Sequence, residues 1–551
     1  MKKEMNSGKW IFKKVRPYFP GLIVLIIVGI IVSYITVRFS LISKKLIDIV
    51  TNQAEGSVLY NGIWLALMLI AQLILQIVYI RIHIKISGRL SMSIRTDLFH
   101  KLLKKDFAEV SSIHSGEFLN RLISDVSIVS EKVTEIIPNL FTLLSTVVFS
   151  FSALYVLDKH FAIACLFLGP VALAATYIYK KKIKTLHIKC RESDGKVRSF
   201  IQETIQNFLV VKAFGRESYM SRKAYSLQTD NYKLNVKRST AGIMANILFF
   251  LAVTMVYYGA LAWSVYRLSL GLITFGTVTA VLSLVSQLQS PFREVAGILP
   301  QTYMVLASAE RLIELENIKE ETQYIETNRD LSQFSKISFH NVSFSYDETE
   351  VLKNVSLDIK KGEFVALCGI SGAGKSTMTK LLLSVLVPNE GNVLLKFEDG
   401  ESINFNSDMR KMFSYVPQGN MILSGTIRDN ITFADEAPDE EKLKKVIEIA
   451  QIKDFIDKTP KGLDTYLGEK GHGLSEGQVQ RIAIARALYY DAPVLLLDEA
   501  TSSLDIATES HLLSSIKELT DKTCIIISHR REVIDACDKT FILQNGALNA
   551  L

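Results

Sequence analysis

At 551 residues the chain is too long for one ordinary core, so two or more domains are expected. Its hydrophobic content of 48% is high for a wholly soluble protein, and its net charge of +7, placed beside long apolar stretches, points to a membrane surface and away from nucleic acid. The five cysteines, Cys165, Cys190, Cys368, Cys524 and Cys537, include no C-x-x-C pair and no His partner at ligand spacing, which argues against a disulfide frame or a zinc site and for unpaired thiols in a reducing compartment.

Residues 1–20 interleave Lys9, Lys13, Lys14 and Arg16 with Trp10, Ile11, Phe12, Val15, Tyr18 and Phe19. This is the composition of an amphipathic segment for the cytoplasmic headgroup region, with a disordered basic tail as the plainer alternative. A signal peptide is not expected, because the apolar run that follows is too long and no small-residue cleavage site closes it. Apolar stretches near 21–42, 61–82, 137–157, 161–179, 243–265 and 269–289 each approach the roughly 20 residues that span a bilayer, so a polytopic α-helical membrane domain of six spans is expected over 21–309.

No Lys or Arg occurs from Leu46 to Ile80, whereas Arg81, Lys85, Arg89 and Arg95 follow the second span and Lys180-Lys181-Lys182-Ile183-Lys184 follows the fourth. Both chain ends and the two long loops are therefore expected in the cytoplasm, at the cell membrane. Those loops, 84–136 and 180–242, keep apolar residues at helical spacing and read as paired helical arms, with tips near 106–116 and 207–217 offering surfaces to something in the cytosol. An arm of about 24 residues would reach roughly 35 Å below the membrane. Arg38, Lys44 and Lys45 suit snorkelling at the outer interface. Gln287, Gln289, Tyr257 and Tyr258 could line a polar pathway or bond between helices. The spans are poor in charge, which favours a hydrophobic or amphipathic cargo.

Residues 310–335 are polar and acidic and read as a helix end followed by a linker. From 336 the pattern becomes one of alternating strands. Phe364-Val365-Ala366-Leu367-Cys368 reads as a buried strand, and Gly369-Ile370-Ser371-Gly372-Ala373-Gly374-Lys375-Ser376 fits G-x-x-x-x-G-K-[ST] before a helix opening at Thr377. In that context glycines let successive N–H groups surround phosphate oxygens, the helix N-terminus adds partial positive charge, Lys375 can reach the β- and γ-phosphates, and the Ser376 hydroxyl can hold Mg²⁺. The apolar run Val494-Leu495-Leu496-Leu497 ends in Asp498 and Glu499. Asp498 suits the metal and Glu499 the base that polarises water; a capped helix start is the ordinary alternative. Ser475 is a natural cap for a second helix, and with Gly477 makes a second anion site that one nucleotide in one domain does not need. Two domains facing head to tail would give each nucleotide one of each.

This domain, 336–551, resembles the nucleotide-binding domain of ABC transporters, with Leu474-Ser475-Glu476-Gly477-Gln478 matching their signature. The resemblance implies an α/β P-loop NTPase fold with a helical subdomain, ATP and Mg²⁺ as cofactors, and further roles. Tyr346 would stack on adenine. Gly369, Ser371, Gly372, Ala373, Gly374, Lys375, Ser376 and Thr377 would hold the phosphates. Gln418 would sense Mg²⁺, and Ser376 and Asp498 would share the metal. Glu499 and His529 would serve hydrolysis. Asp505 would contact the opposite domain, and Ser475, Gly477 and Gln478 would act on the partner chain's ATP. Gly468-Glu469-Lys470-Gly471 resembles the exporter-type loop before the signature, and Ser115–Leu122 and Val210–Glu217 resemble the exporters' intracellular loops. Glu476 departs from the family's usual Gly, which puts the hydrolysis rate in question. No peptidase-like domain precedes the first span, so leader-peptide processing is not expected.

Together these imply an exporter-type half-transporter moving a drug-like molecule, peptide or lipid. The complete set of site residues in one chain favours a homodimer over a heterodimer. An ATP-gated channel or sensor, or a lipid flippase, is the alternative. A soluble ATPase acting on nucleic acid is opposed by the six spans.

Overall fold

The computed structural model describes residues 6–551 apart from 114, 322–328, 347, 420–421, 434, 469–472 and 520–521. The exporter-type loop at 468–471 thus lies almost wholly outside the described residues, and so do the side chains of Cys165 and of the Lys180–Lys184 run. The chain forms two compact units, one of residues 1–103 with 114–317 and the other of 104–113 with 318–551.

The first unit is helical. Its long helices are Phe19–Val50, Val58–Leu102, Val126–Leu157, Lys159–Gln206, Glu217–Ser269 and Phe275–Asn317. Each of the first five contains one of the first five apolar stretches read from the sequence. The sixth starts at Phe275 and not at 269, for two reasons. Gly271 adopts a left-handed φ of 69°, which breaks the preceding helix, and buried Asp48 accepts a 2.9 Å bond from the Gly276 amide at the new helix start. Most of these helices run well past the span length, and polar extensions continue each apolar segment. Among the described residues, the stretches Ser7–Val50, Val58–Leu102 and Gly116–Leu157 are long and apolar enough to cross a membrane. Ile63, Trp64, Leu67, Ile70 and Leu73 are exposed, as lipid-facing side chains would be. A short helix at Phe208–Ala213 occupies the tip of the second arm.

Gln287 is used for packing. Its Nε2 donates to Ser40 Oγ at 2.8 Å and Ser283 Oγ at 3.2 Å, and Ser150 Oγ donates to its Oε1 at 3.4 Å. Gln289 Nε2 donates to the Val253 carbonyl at 3.1 Å. Both therefore join helices, one of the two roles open at the sequence level.

The N-terminal helix Ser7–Val15 places Trp10 and Val15 inside the protein, packed with Leu90, Ile94, Val129 and Leu312. Its exposed residues are Gly8, Lys9, Phe12 and Lys13. Most of its apolar face is thus covered by protein and not by lipid headgroups. Trp10 Nε1 donates to Glu316 Oε2 at 2.6 Å, and Lys14 and Lys101 both bond Asp97, with Lys101 also bonded to Glu316. Burial pushes the Glu316 carboxyl up, but the Lys101 and Trp10 bonds outweigh it and hold it below its usual value. Leu312 and Ile313 are buried in the same cluster, so the last helix continues to Asn317, within the stretch 310–335 read as a helix end followed by a linker.

The second unit is an α/β domain. Its six-stranded sheet has the order Ala547–Ala550, Lys539–Gln544, Phe364–Cys368, Thr523–Ile527, Val494–Asp498, Phe413–Val416, parallel except for the first edge strand. Alternation divides its side chains between two cores. Val494, Leu496, Ile525, Ile527, Val365 and Leu367 face one core, with the helix Lys375–Leu382 and a four-stranded antiparallel sheet containing Phe334–Tyr346. Leu495, Leu497, Cys524 and Ile526 face the other, with the helix Glu476–Tyr490 and the smaller helices around it. The tip segment 104–113 is zipped to residues 318–321 within this unit: Asp106 N donates to Lys319 O at 2.9 Å and Glu321 N to Lys104 O at 3.0 Å. Arg410 Nη1 then bonds Glu321 at 2.9 Å, while its other nitrogens reach the Leu383 and Ser384 carbonyls just beyond the phosphate-loop helix.

Trp10→Ala should destabilise the first unit by about 3–5 kcal/mol through the cavity it leaves. Trp10→Phe should lose about 1.5–3 kcal/mol with its bond to the Glu316 carboxylate. Thermal scans of detergent-solubilised protein should rank the parent above the Phe variant and the Phe variant above Ala.

Candidate functional site

The parallel strands of the central sheet end together, and ligands bind such sheets at the carboxyl ends of the strands. Going across, these ends carry Gly369 after Cys368, His529 after Ile527 and Ser528, Asp498 and Glu499 after Leu497, and Gln418 after Val416. The strand bearing His529 lies between the phosphate-loop strand and the acidic strand; the phosphate loop and the carboxylates are therefore one strand further apart than a direct pairing would put them.

Gly369 has φ 151°, Gly372 φ 82° and Gly374 φ 107°, a backbone that L side chains rarely adopt. A Cβ on Gly369 would also lie 2.5 Å from the Leu543 carbonyl, whereas one on Gly372 would meet open space, the side from which a phosphate could approach. Lys375 Nζ donates to the carbonyls of Gly369 at 2.7 Å and Ile370 at 3.1 Å, which arches the lysine over its own loop. Ser376 is exposed on the first turn of Lys375–Leu382, next to buried Thr377. Tyr346 closes its strand, half exposed, with Lys380 Nζ 5.9 Å from its ring centre. A glycine-lined turn, a lysine and an open helix start fit a nucleotide polyphosphate.

Gln418 Nε2 donates to Glu499 Oε2 at 2.6 Å, so two residues read separately in the sequence meet. Glu499 sits at φ 49°, a left-handed conformation rare for a side chain of its kind, held by its amide bond to the Ile527 carbonyl at 3.0 Å. Asp498 is buried, with the Tyr415 hydroxyl near enough to favour its charged form. Burial above all, and then the neighbouring Glu499 charge, push its carboxyl up to about 6 against the pull of Lys375. A buried carboxylate that resists its own charge beside a second carboxylate is a site a cation would relieve, so Asp498 and the Ser376 hydroxyl fit Mg²⁺ chemically.

Ser475 caps Glu476–Tyr490: its Oγ accepts from Gln478 N at 3.3 Å, and Gln478 Oε1 accepts from Ser475 N at 2.9 Å. The Gln478 side chain is thus committed to the start of its own helix. A Cβ on Gly477 would lie 3.1 Å from the Ser503 carbonyl, so this glycine also lets the helix press against the 501–505 turn. Glu476 is exposed. Ser475, Gly477 and Gln478 share no hydrogen bond with Gly369–Thr377 among the described residues; the two helices stand on opposite faces of the sheet. Asp505 caps Ile506–Lys517, accepting from Thr508 N at 3.0 Å. His529 is exposed.

Four residues given no role at the sequence level also belong here. Gln480 ties the signature helix to the turn, donating to Ser502 Oγ at 3.1 Å and accepting from Ser503 N at 3.1 Å. Tyr415 backs Asp498, and Arg530 and Glu509 hold the turn from behind. A polar residue on an otherwise apolar helix face was the available signal for Gln480.

Asp498 binds its proton more tightly folded than unfolded, so stability should fall as pH rises from about 4 to about 6, and the full penalty, on the order of 2–3 kcal/mol, should hold above that. Asp498→Asn should therefore raise the melting temperature of protein kept in a chelator without nucleotide, and more at pH 8 than at pH 5. An equal effect at the two pH values would contradict the burial argument.

Residues 22–292 match the family described as ABC transporter transmembrane region, and residues 352–502 that described as ABC transporter. The chain is 31% identical to a putative export ATP-binding/permease protein of Rickettsia bellii, over 98% of this chain and 94% of that one. It is 28% identical to an ATP-dependent lipid A-core flippase of Desulfotalea psychrophila, over 98% and 95%. A bacterial Atm1-family ABC exporter solved with ATP bound superposes with a TM-score of 0.80 at 25% identity, covering 97% of this chain and 94% of that one. With its fused helical membrane region and nucleotide-binding domain, the chain belongs to the ABC transporter family, as a multi-pass membrane protein whose transport is coupled to ATP hydrolysis.

Proposed function

We propose that two copies of this chain assemble into an exporter in which each ATP is held between the phosphate loop of one copy and the signature helix of the other. The observation that carries this reading is that Lys375–Leu382 and Glu476–Tyr490, the two helices whose N-termini suit phosphate, pack on opposite faces of one sheet. A single nucleotide cannot lie against both within one chain. Every residue type the composite site needs occurs in this sequence, so two identical copies complete two sites.

In this reading Tyr346 stacks on the base, Gly369–Thr377 surround the phosphates and Lys375 turns from its loop carbonyls to the β- and γ-phosphates. Ser376, Gln418 and Asp498 would hold Mg²⁺, which would supply positive charge against the phosphates. Glu499, oriented by Gln418, accepts the proton of the attacking water, His529 bonds the γ-phosphate, and Asp505 meets the opposite copy. The N-terminus and the nucleotide-binding domain are cytoplasmic, in keeping with the Lys and Arg after the second and fourth spans. ATP binding and hydrolysis switch the membrane unit between inward- and outward-facing states. The cargo is hydrophobic or amphipathic. Charge-poor spans support this, and the flippase names of several relatives put a lipid first.

In proteoliposomes the parent should move a fluorescent amphipathic lipid between leaflets only with MgATP. Glu499→Gln should cut ATPase about 10²–10⁴-fold, the usual worth of a general base, and stop lipid movement. Undiminished ATPase in that variant rules out Glu499 as the base, and lipid movement without ATP rules out pumping. In mixed dimers, a Lys375→Ala copy beside a Ser475→Ala copy should disable one shared site and spare the other. Loss of both sites would contradict the head-to-tail arrangement.

A further inference from the structure

Arg530 immediately follows His529, yet its side chain turns away from the strand end to the 501–505 turn. Its Nη1 donates to the Leu504 carbonyl at 3.0 Å, the Thr501 carbonyl at 3.4 Å and Glu509 Oε2 at 2.8 Å, and its Nη2 donates to the Ser502 carbonyl at 2.9 Å. Glu509 is 1% exposed, and its other oxygen has no partner among the described residues, so the Arg530 bond is what compensates its charge. The same turn is gripped from its other side by Gln480, through Ser502 Oγ and Ser503 N at 3.1 Å each. It starts next to Glu499 and ends at Asp505. Arg530 therefore ties the segment carrying His529 to the segment joining Glu499 and Asp505. A planar guanidinium with several donors can hold three carbonyls and a carboxylate at once; an ammonium cannot do so in the same geometry.

We propose that Arg530, braced by Glu509, is a positioning residue for hydrolysis: it keeps His529 and the Glu499–Asp505 turn in fixed register, so that a displacement of one is carried to the other. The inference rests on the reading of the nucleotide site above. Arg530 bonds none of Gly369–Thr377 among the described residues, so its loss should reach turnover and leave ATP affinity in place, which a general loss of folding would not do.

The test uses full-length protein in lipid nanodiscs, with ATP turnover and binding of a fluorescent ATP analogue measured in parallel. Arg530→Met should lower kcat at least tenfold while the analogue's Kd stays within twofold, and Arg530→Lys should recover part of kcat. Glu509→Gln, which leaves the guanidinium on its three carbonyls, should lower kcat less and in the same manner, and it carries the test should Arg530→Met fail to fold. On a His529→Ala background, Arg530→Met should add less than a twofold further loss, because both act through one unit. The inference is overturned if Arg530→Met and Glu509→Gln turn over ATP within twofold of the parent, if Kd weakens in step with kcat, or if Arg530→Lys is no better than Arg530→Met. Glu499→Gln run alongside separates the two readings. Normal turnover there sinks the assignment of the site itself, whereas a dead Glu499→Gln beside an unaffected Arg530→Met sinks only the role given to Arg530.

Discussion

Alternation along the central strands sends Val494 and Leu496 to one face of the sheet and Leu495 and Leu497 to the other, and much of the second unit depends on this. A strand buried on both faces must be apolar throughout, which is why Val494–Leu497 and Ile525–Ile527 read as continuous hydrophobic runs and not as alternating ones. Each face then needs a covering layer. The phosphate-loop helix with the antiparallel sheet covers one, and the signature helix with its small neighbours covers the other. The loops that carry chemistry are left at the strand ends, where a rigid scaffold fixes them and they need no core of their own.

At those ends the dominant electrostatic fact is a concentration of charge in little solvent. Asp498 is buried next to Glu499, with Lys375 as the opposing charge. Glu499 is held by its amide bond to Ile527 and by the Gln418 amide, in a backbone conformation that is rare for it. These features weaken the fold locally, and the surrounding strands supply the stability that keeps them in place. The 501–505 turn follows the same logic: three of its carbonyls accept from Arg530, so a segment with no regular backbone pairing is still fixed.

What could be read from the sequence was what local chemistry dictates. The turn at Gly369–Ser376 was legible because glycines at set spacing supply the positive φ values that a tight turn into a helix needs. The apolar stretches were legible because span length is set by bilayer thickness. The start of the last long helix at Phe275 was not, because it depends on Asp48, distant in sequence, reaching the Gly276 amide. The environment of Trp10 was hidden for the same reason. Its amphipathic segment suits a headgroup layer as well as a protein groove, and only the arrival of Glu316 and Leu312 decides between them. Arg530 and Glu509 stand 21 positions apart, and nothing local to either predicts their pairing.

Glu476 shows how two demands meet at one position. On the first turn of Glu476–Tyr490 a carboxylate is favourable, since it faces the partial positive charge of the helix N-terminus. That same positive charge is what a phosphate from a second copy would seek. Because Glu476 is exposed, its charge is screened by water and salt, and its repulsion of a phosphate is far weaker than a buried carboxylate's would be. The bonds that fix the helix start, Ser475 to Gln478 and back, do not involve the Glu476 side chain. A glycine at 476 would lose a little helix stability and remove a weak repulsion. In the head-to-tail arrangement proposed above, the position would tune how strongly the helix end attracts an anion, while the Ser475–Gln478 cap keeps that end in shape.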